Sequence, residues 1–158
     1  MKKVLFAICA ALCAVAFSSC SNDNGTNSEQ LTQELVKKCE GKWKIVSGFE
    51  TSGVYRPKLR IEGDFYVIFN KDKTISYQGE ATQQQYYEDK PYEFNKWNIR
   101  DSFDFSRWDA VHFGEKDEMR LYRKSEFYSI CDVVFQTNTT MLLYLSGGWD
   151  RCYIMEKQ

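Results

Sequence analysis

The side chains in this 158-residue chain that could do chemistry are mostly rings. Tyr86, Tyr87, Tyr92, Phe94, Trp97, Phe103, Phe105 and Trp108 fall within one stretch. Ring faces gathered in this way form the mouth of a pocket, or a platform, for an apolar ligand or a sugar ring. The competing use is a core built of rings. Alternation explains Tyr92, Phe94, Trp97 and Ile99 as one inward set, but leaves Tyr86, Tyr87 and Trp108 without a packing role. Other chemistry is scarce. His112 is the one histidine. It lies between Val111 and Phe113, which share the opposite face, so it is expected to point outward. One histidine excludes a Ser–His–Asp triad and a multi-histidine metal site within the chain. Asp101, Asp104 and Asp109 lack the spacing of a calcium loop and read as solvated loop carboxylates. No Gly-rich phosphate loop is present. The chain is therefore expected to be no enzyme, and to need no cofactor and no metal.

The start of the chain carries a different kind of signal. Lys2 and Lys3 precede an apolar run, Val4 to Phe17, and then Ser18-Ser19-Cys20. A positive end and an apolar stretch too short to span a bilayer comfortably are the marks of an export signal. Small residues before a cysteine at this place are the pattern at which a thiol takes a diacylglycerol group. Cys20 is thus the expected lipidation site, with several acyl chains holding the protein to a membrane, because one chain alone anchors only marginally. The expected location is the bacterial cell envelope, on the outer membrane and facing either the periplasm or the outside. Loss of Lys2 and Lys3 leaves the remaining chain slightly acidic. With no basic run there is no electrostatic case for nucleic acid.

The elements that must position the rings follow from pattern. Residues 1–19 read as signal, 20–30 as lipid-bearing cysteine and flexible polar tether, and 31–158 as one folded domain. Leu31, Leu35 and Cys39 recur every four residues, with Lys37 and Lys38 late, which predicts a short helix. In Gly41-Lys42-Trp43-Lys44-Ile45-Val46, Trp43 and Ile45 alternate with lysines, which predicts a first strand with Trp43 at the closed end of the fold. Residues 51–63 read as irregular. Asp64–Phe69 and Thr74–Tyr77 read as a hairpin about the turn 70–73, and 82–90 as a long loop or a frayed strand pair. Short strands are expected at Phe103–Phe105, Val111–Phe113 and Met119–Leu121. The clearest strands are Glu126–Phe135, Thr139–Ser146 and Asp150–Glu156. About nine strands and no second helical pattern indicate an all-β fold.

Gly41-x-Trp43 on the first strand, after a short helix, resembles the lipocalin signature. Val67-Ile68-Phe69-Asn70-Lys71-Asp72-Lys73-Thr74, Tyr92 through Trp97 to Ile99, and the tail from Ile130 through Leu142-Leu143 to Lys157 are similar to the lipocalin-like lipoproteins of the Bacteroidota. Lys73 stands where that turn usually has Gly. The resemblance implies a small antiparallel up-and-down β-barrel of 8–9 strands with one short N-terminal helix. It makes Gly41 and Trp43 structural, and Arg151 the basic residue that caps Trp43. It also implies a barrel that binds a small apolar or sugar-like ligand, with Tyr86, Tyr87, Tyr92, Phe94, Trp97, Phe105 and Trp108 as its candidate contacts. The alternative is a filled barrel that acts as a protein-interaction module, a protease inhibitor or an accessory subunit of an envelope complex. The last strand of such a barrel returns beside the first, which favours a Cys39–Cys152 disulfide. Other pairings with Cys131, and buried thiols, stay open.

Overall fold

A computed structural model describes residues 24–51, 56–91, 94–101, 110–113, 118–123, 126–145 and 151–158. Among the described residues the fold is all-β with one helix. The helix, α1, spans Asn24–Cys39. It starts upstream of the expected Glu29, so the stretch from Asn24 to Ser28 is helical rather than a flexible tether. Nine strands follow: β1 (Gly41–Glu50), β2 (Lys58–Phe69), β3 (Ile75–Tyr86), β4 (Trp97–Asn98), β5 (Ala110–Phe113), β6 (Glu118–Arg123), β7 (Glu126–Phe135), β8 (Thr140–Leu145) and β9 (Arg151–Lys157). A 3-10 turn, Ile99–Asp101, follows β4.

The sheet order is β4-β3-β2-β1-β9-β8-β7-β6-β5, and every pairing is antiparallel. This is an up-and-down meander whose first and last strands lie side by side. The sheet is strongly curled. In a flat sheet β2 and β5, six strands apart, would be separated by roughly 29 Å. Yet the Val111 amide of β5 donates to the carbonyl of Lys73, in the β2–β3 turn, over 2.8 Å. Among the described residues no ladder joins β4 to β5, so the sheet is not closed and the expected barrel is not shown, while the all-β fold with a helix is. The physical reason lies in β4, which is two residues long and offers almost no edge for pairing.

Alternation builds the concave face. Trp43 and Ile45, Phe65, Val67 and Phe69, Val133, Met141 and Leu143, and Tyr153 and Met155 are buried together. Leu35 and Cys39 of α1 pack onto the same cluster. Two departures from regular pairing shape this face. Between Ile45 and Ser47 the β1–β9 register slips by one residue, a bulge that turns Gly48 and Glu50 to the side facing Tyr153 and Arg151. Between Lys44 and Ser47 the β1–β2 register slips further, and β2 swings away from β1 over Glu62–Asp64, all exposed. Its partner β3 bends there too, at Gly79 (φ 81°). A Cβ at Gly79 would sit 2.1 Å from the Asp64 carbonyl oxygen, so only glycine fits this corner.

The long β2–β3 hairpin differs from expectation at both ends. Lys58–Gly63, expected to be irregular, is strand, and Thr82–Tyr86, expected to be a long loop or a frayed strand pair, is regular strand. They pair with one another residue by residue, so each supplies the ladder that its own sequence does not advertise. The three late strands lie within a residue of their expected limits. The strand expected at Phe103–Phe105 lies outside the described residues.

Candidate functional site

One end of the concave face is filled and apolar. Trp43 is fully buried. Its indole N–H donates to the Cys39 carbonyl at 2.6 Å, satisfying one of the acceptors that a helix leaves open at its C-terminus. The Trp43 and Phe135 ring centroids lie 6.1 Å apart. Gly41 enters the strand at φ 116°, turning the chain sharply from helix to sheet. The basic residue over Trp43 is Lys157, with Nζ 5.3 Å from the indole centroid. Lys157 pairs with Trp43 in the β1–β9 ladder, whereas Arg151 pairs with Glu50 at the far end of both strands. The capping role expected of Arg151 is therefore corrected to Lys157. Counting back from the end of β9 by the ladder, rather than choosing among arginines, would have found it.

The other end of the same face is polar. Tyr153 is fully buried, and its hydroxyl lies 3.2 Å from Gln83 Oε1. Gln85, two residues along the same face of β3, donates its amide to the Glu50 carboxylate. Glu50 lies 3.7 Å from Arg151 Nε, with the two side chains 15% and 10% exposed. Gln83 is fully buried, yet its Nε2 has no hydrogen-bond partner. An amide buried in this state costs about 1–3 kcal/mol relative to a satisfied one. Leu59 and Leu145, both buried, stand beside this group through their ladder partners Gln85 and Arg151. Trp97 of β4 lies directly opposite Gln83 and is half-buried. Two amides, a phenol, a carboxylate, a guanidinium and an indole thus gather on the concave side of the sheet, with Gln83 and Tyr153 fully buried. Such a set can donate to and accept from hydroxyl groups while a ring face packs against the ligand.

The predicted ring residues divide between surfaces. Of those among the described residues, Trp97 joins the polar end. Tyr86 lies on the opposite face of β3 from Gln83 and Gln85, under the Arg60 guanidinium at 4.8 Å. There it borders a cleft of about 460 Å³ with Phe49, Arg56, Lys58 and Ile154. Tyr87 and Phe94 pair at 5.9 Å, and Phe94 is 39% exposed, so it is not part of an inward set with Trp97. Its backbone explains this. The Phe94 carbonyl accepts from Gln84, an outward residue of β3, which draws the segment over the outer surface. Tyr92, Phe105, Trp108 and Cys20 lie outside the described residues, as does the His112 side chain.

The cysteine pairing is a further correction. Cys39, Cys131 and Cys152 are buried thiols, and no disulfide joins them. Cys39 sits at the Trp43 end, while Cys152 pairs with Phe49 six residues further along β1. That run of strand is roughly 20 Å long, far beyond disulfide reach. Burial pushes the Cys152 thiol up to about 11, with a hydrogen bond from Tyr144 acting the other way. Among the described residues no group of three or more His, Cys, Asp or Glu side chains is placed to hold a metal ion. No helix among them is long and apolar enough to cross a membrane.

Comparison with protein-family models, curated proteins and solved structures found no match.

Proposed function

We propose that this protein is a lipid-anchored envelope protein whose curled, lipocalin-like sheet binds a small ring-shaped polyhydroxyl ligand, sugar-like in chemistry. The observation that carries the reading is the fully buried Gln83 amide with an unmatched donor. Folded chains rarely bury a donor with nothing to receive it, and a ligand acceptor is one way to complete such a group. Around it, Glu50, Gln85, Arg151 and Tyr153 supply donors and acceptors, and Trp97 supplies a ring face. The attachment rests on Cys20 and the segment before it.

The test is native mass spectrometry of the lipid-bearing chain, extracted from its own membrane in mild detergent. A small polyhydroxyl adduct on the wild type that is absent from Gln83→Leu supports the reading. A bare wild-type protein, or an adduct kept by Gln83→Leu, sinks it.

A second reading, a protein-interaction module, draws on a different surface. The Tyr87–Phe94 ring pair stands at the exposed side of the sheet, and the Trp43 end is packed with Phe65, Met141, Leu143 and Met155 at essentially no exposure. Exposed rings on a rigid sheet are what a protein partner would use as anchors. Capture of one envelope polypeptide, lost on Phe94→Ser but kept on Gln83→Leu, would favour it.

A further inference from the structure

A cleft of about 470 Å³ lies between the last turn of α1 and the β7–β8 turn, at the Trp43 end and remote from the polar group. Lys37, Lys38, Phe135, Gln136, Thr137, Asn138 and Lys157 line it, and none of them is acidic. Three ammonium groups from two separate elements thus border one concavity. Two of them are held in place. Lys38 Nζ stands 5.7 Å from the Phe135 ring centroid. Lys157 Nζ stands 5.3 Å from the Trp43 ring and donates to the Lys38 carbonyl over 3.1 Å. Lys37 is exposed and completes the rim.

The helix dipole accounts for lysines in the last turn of α1. It does not account for a third ammonium brought in from β9, nor for a hydroxyl and two amide side chains across the cleft. Three ammonium groups bordering one concavity, with no acidic residue in its lining, raise the local concentration of anions. Thr137 and Asn138 add neutral donors on the facing turn. We infer that this cleft binds a phosphate-bearing anion, held by Lys37, Lys38 and Lys157 with Thr137 and Asn138 opposite. Phosphate suits the site because its oxygens accept from several ammonium groups and hydroxyls at once. The group could belong to a free phosphoester or to a phospholipid headgroup, and the chemistry at the cleft is the same for both.

The experiment follows the backbone amide resonances of Thr137 and Asn138 in the lipid-bearing chain held in neutral detergent micelles. One arm adds inorganic pyrophosphate. The other dopes the micelles with phosphatidylglycerol, with phosphatidylcholine as the uncharged reference. Saturable shifts with pyrophosphate assign a free phosphoester, and saturable shifts with phosphatidylglycerol alone assign a lipid headgroup. In either case the Lys37→Gln/Lys38→Gln variant, which leaves Lys157 on Trp43, should bind roughly tenfold more weakly or worse. A Lys71→Gln/Lys90→Gln variant, altered outside the cleft, should bind as the wild type does. No saturable shift in either arm overturns the inference, and so does an equal loss in both variants.

Discussion

Lys157 places its ammonium 5.3 Å from the centre of the Trp43 indole and, from the same atom, donates to the Lys38 carbonyl. One side chain on the last strand therefore fastens the first strand to the end of the helix. Trp43 adds its own bond to Cys39, so two carbonyls of the last helical turn are satisfied by the two central strands. Trp43→Ala is expected to lower stability by about 3–5 kcal/mol in urea denaturation. Lys157→Met should move the Trp43 indole N–H resonance, whereas Arg151→Met should leave it in place. A shift caused by Arg151→Met alone would return the capping role to that residue.

The β2–β3 turn holds a non-glycine residue in the left-handed region, Lys73 at φ 65°. Its amide bonds to the Asn70 carbonyl at 3.0 Å, and its carbonyl receives the Val111 amide of β5. Glycine adopts this conformation without steric cost, though it also loses more freedom on folding. Lys73→Gly is expected to raise stability by about 0.5–1 kcal/mol, and Lys73→Val to lower it. Equal midpoints for both variants in urea would show that the turn relaxes out of this geometry.

Much of this fold was legible from alternation alone. Trp43 and Ile45 against Lys42 and Lys44, and the runs of β7, β8 and β9, carry period-2 burial in their residue types. The polar end was not legible, for a local reason. From Trp43, strict alternation places Phe49 inward and Glu50 outward. The bulge after Ile45 reverses that and brings Glu50 to the concave face. Gln83 and Gln85 were hidden differently, because a glutamine-rich stretch has no apolar period to read. Their strand exists because β2 pairs with it along its whole length. Tyr86, Tyr87 and Phe94 were legible as rings but not as a group with Trp97, since sequence proximity does not fix which face of a curled sheet a ring takes.

The three thiols give a chemical test of the packing. Cys39, Cys131 and Cys152 are each at most 1% exposed. Cys152 lies in the ladder between Phe49 and Tyr144, whose rings meet edge to face at 6.4 Å. Its thiol, raised to about 11 by burial, holds little of the reactive thiolate near neutral pH. Alkylation of the native protein without reductant should label none of the three, and the same treatment in denaturant should label all three. Labelling of only Cys131 in denaturant would restore the Cys39–Cys152 bridge.

Acid should loosen the β2–β3 turn before the sheet. The Asp72 carboxylate accepts from the Thr74 hydroxyl at 2.6 Å and from the Thr74 amide at 3.0 Å. The hydroxyl bond first, and then the amide bond, hold its pKa below the ordinary value of 3.8. A carboxylate lowered on folding contributes stability in full above its unfolded pKa and loses it as pH falls through the folded one. Asp72→Asn should therefore be less stable than the wild type at neutral pH and converge with it below the Asp range. Parallel stability–pH curves for the two proteins would show that Asp72 contributes nothing through its charge.

The Gln83 amide makes the last prediction, which separates stability from binding. Deleting Gln83 alone would remove the acceptor that lies 3.2 Å from the Tyr153 hydroxyl, a second buried polar group. Replacing both partners with apolar groups of similar shape removes the pair and the unmatched donor together, and such exchanges are nearly neutral or stabilising. The double variant Gln83→Met/Tyr153→Phe is expected to be at least as stable as the wild type, by up to roughly 1 kcal/mol, and to retain no ligand. A core with no binding role would show the stability change and no change in adduct. A double variant clearly less stable than the wild type would mean that the amide has an acceptor in the folded protein, and the case for a ligand at this end would lose its main support.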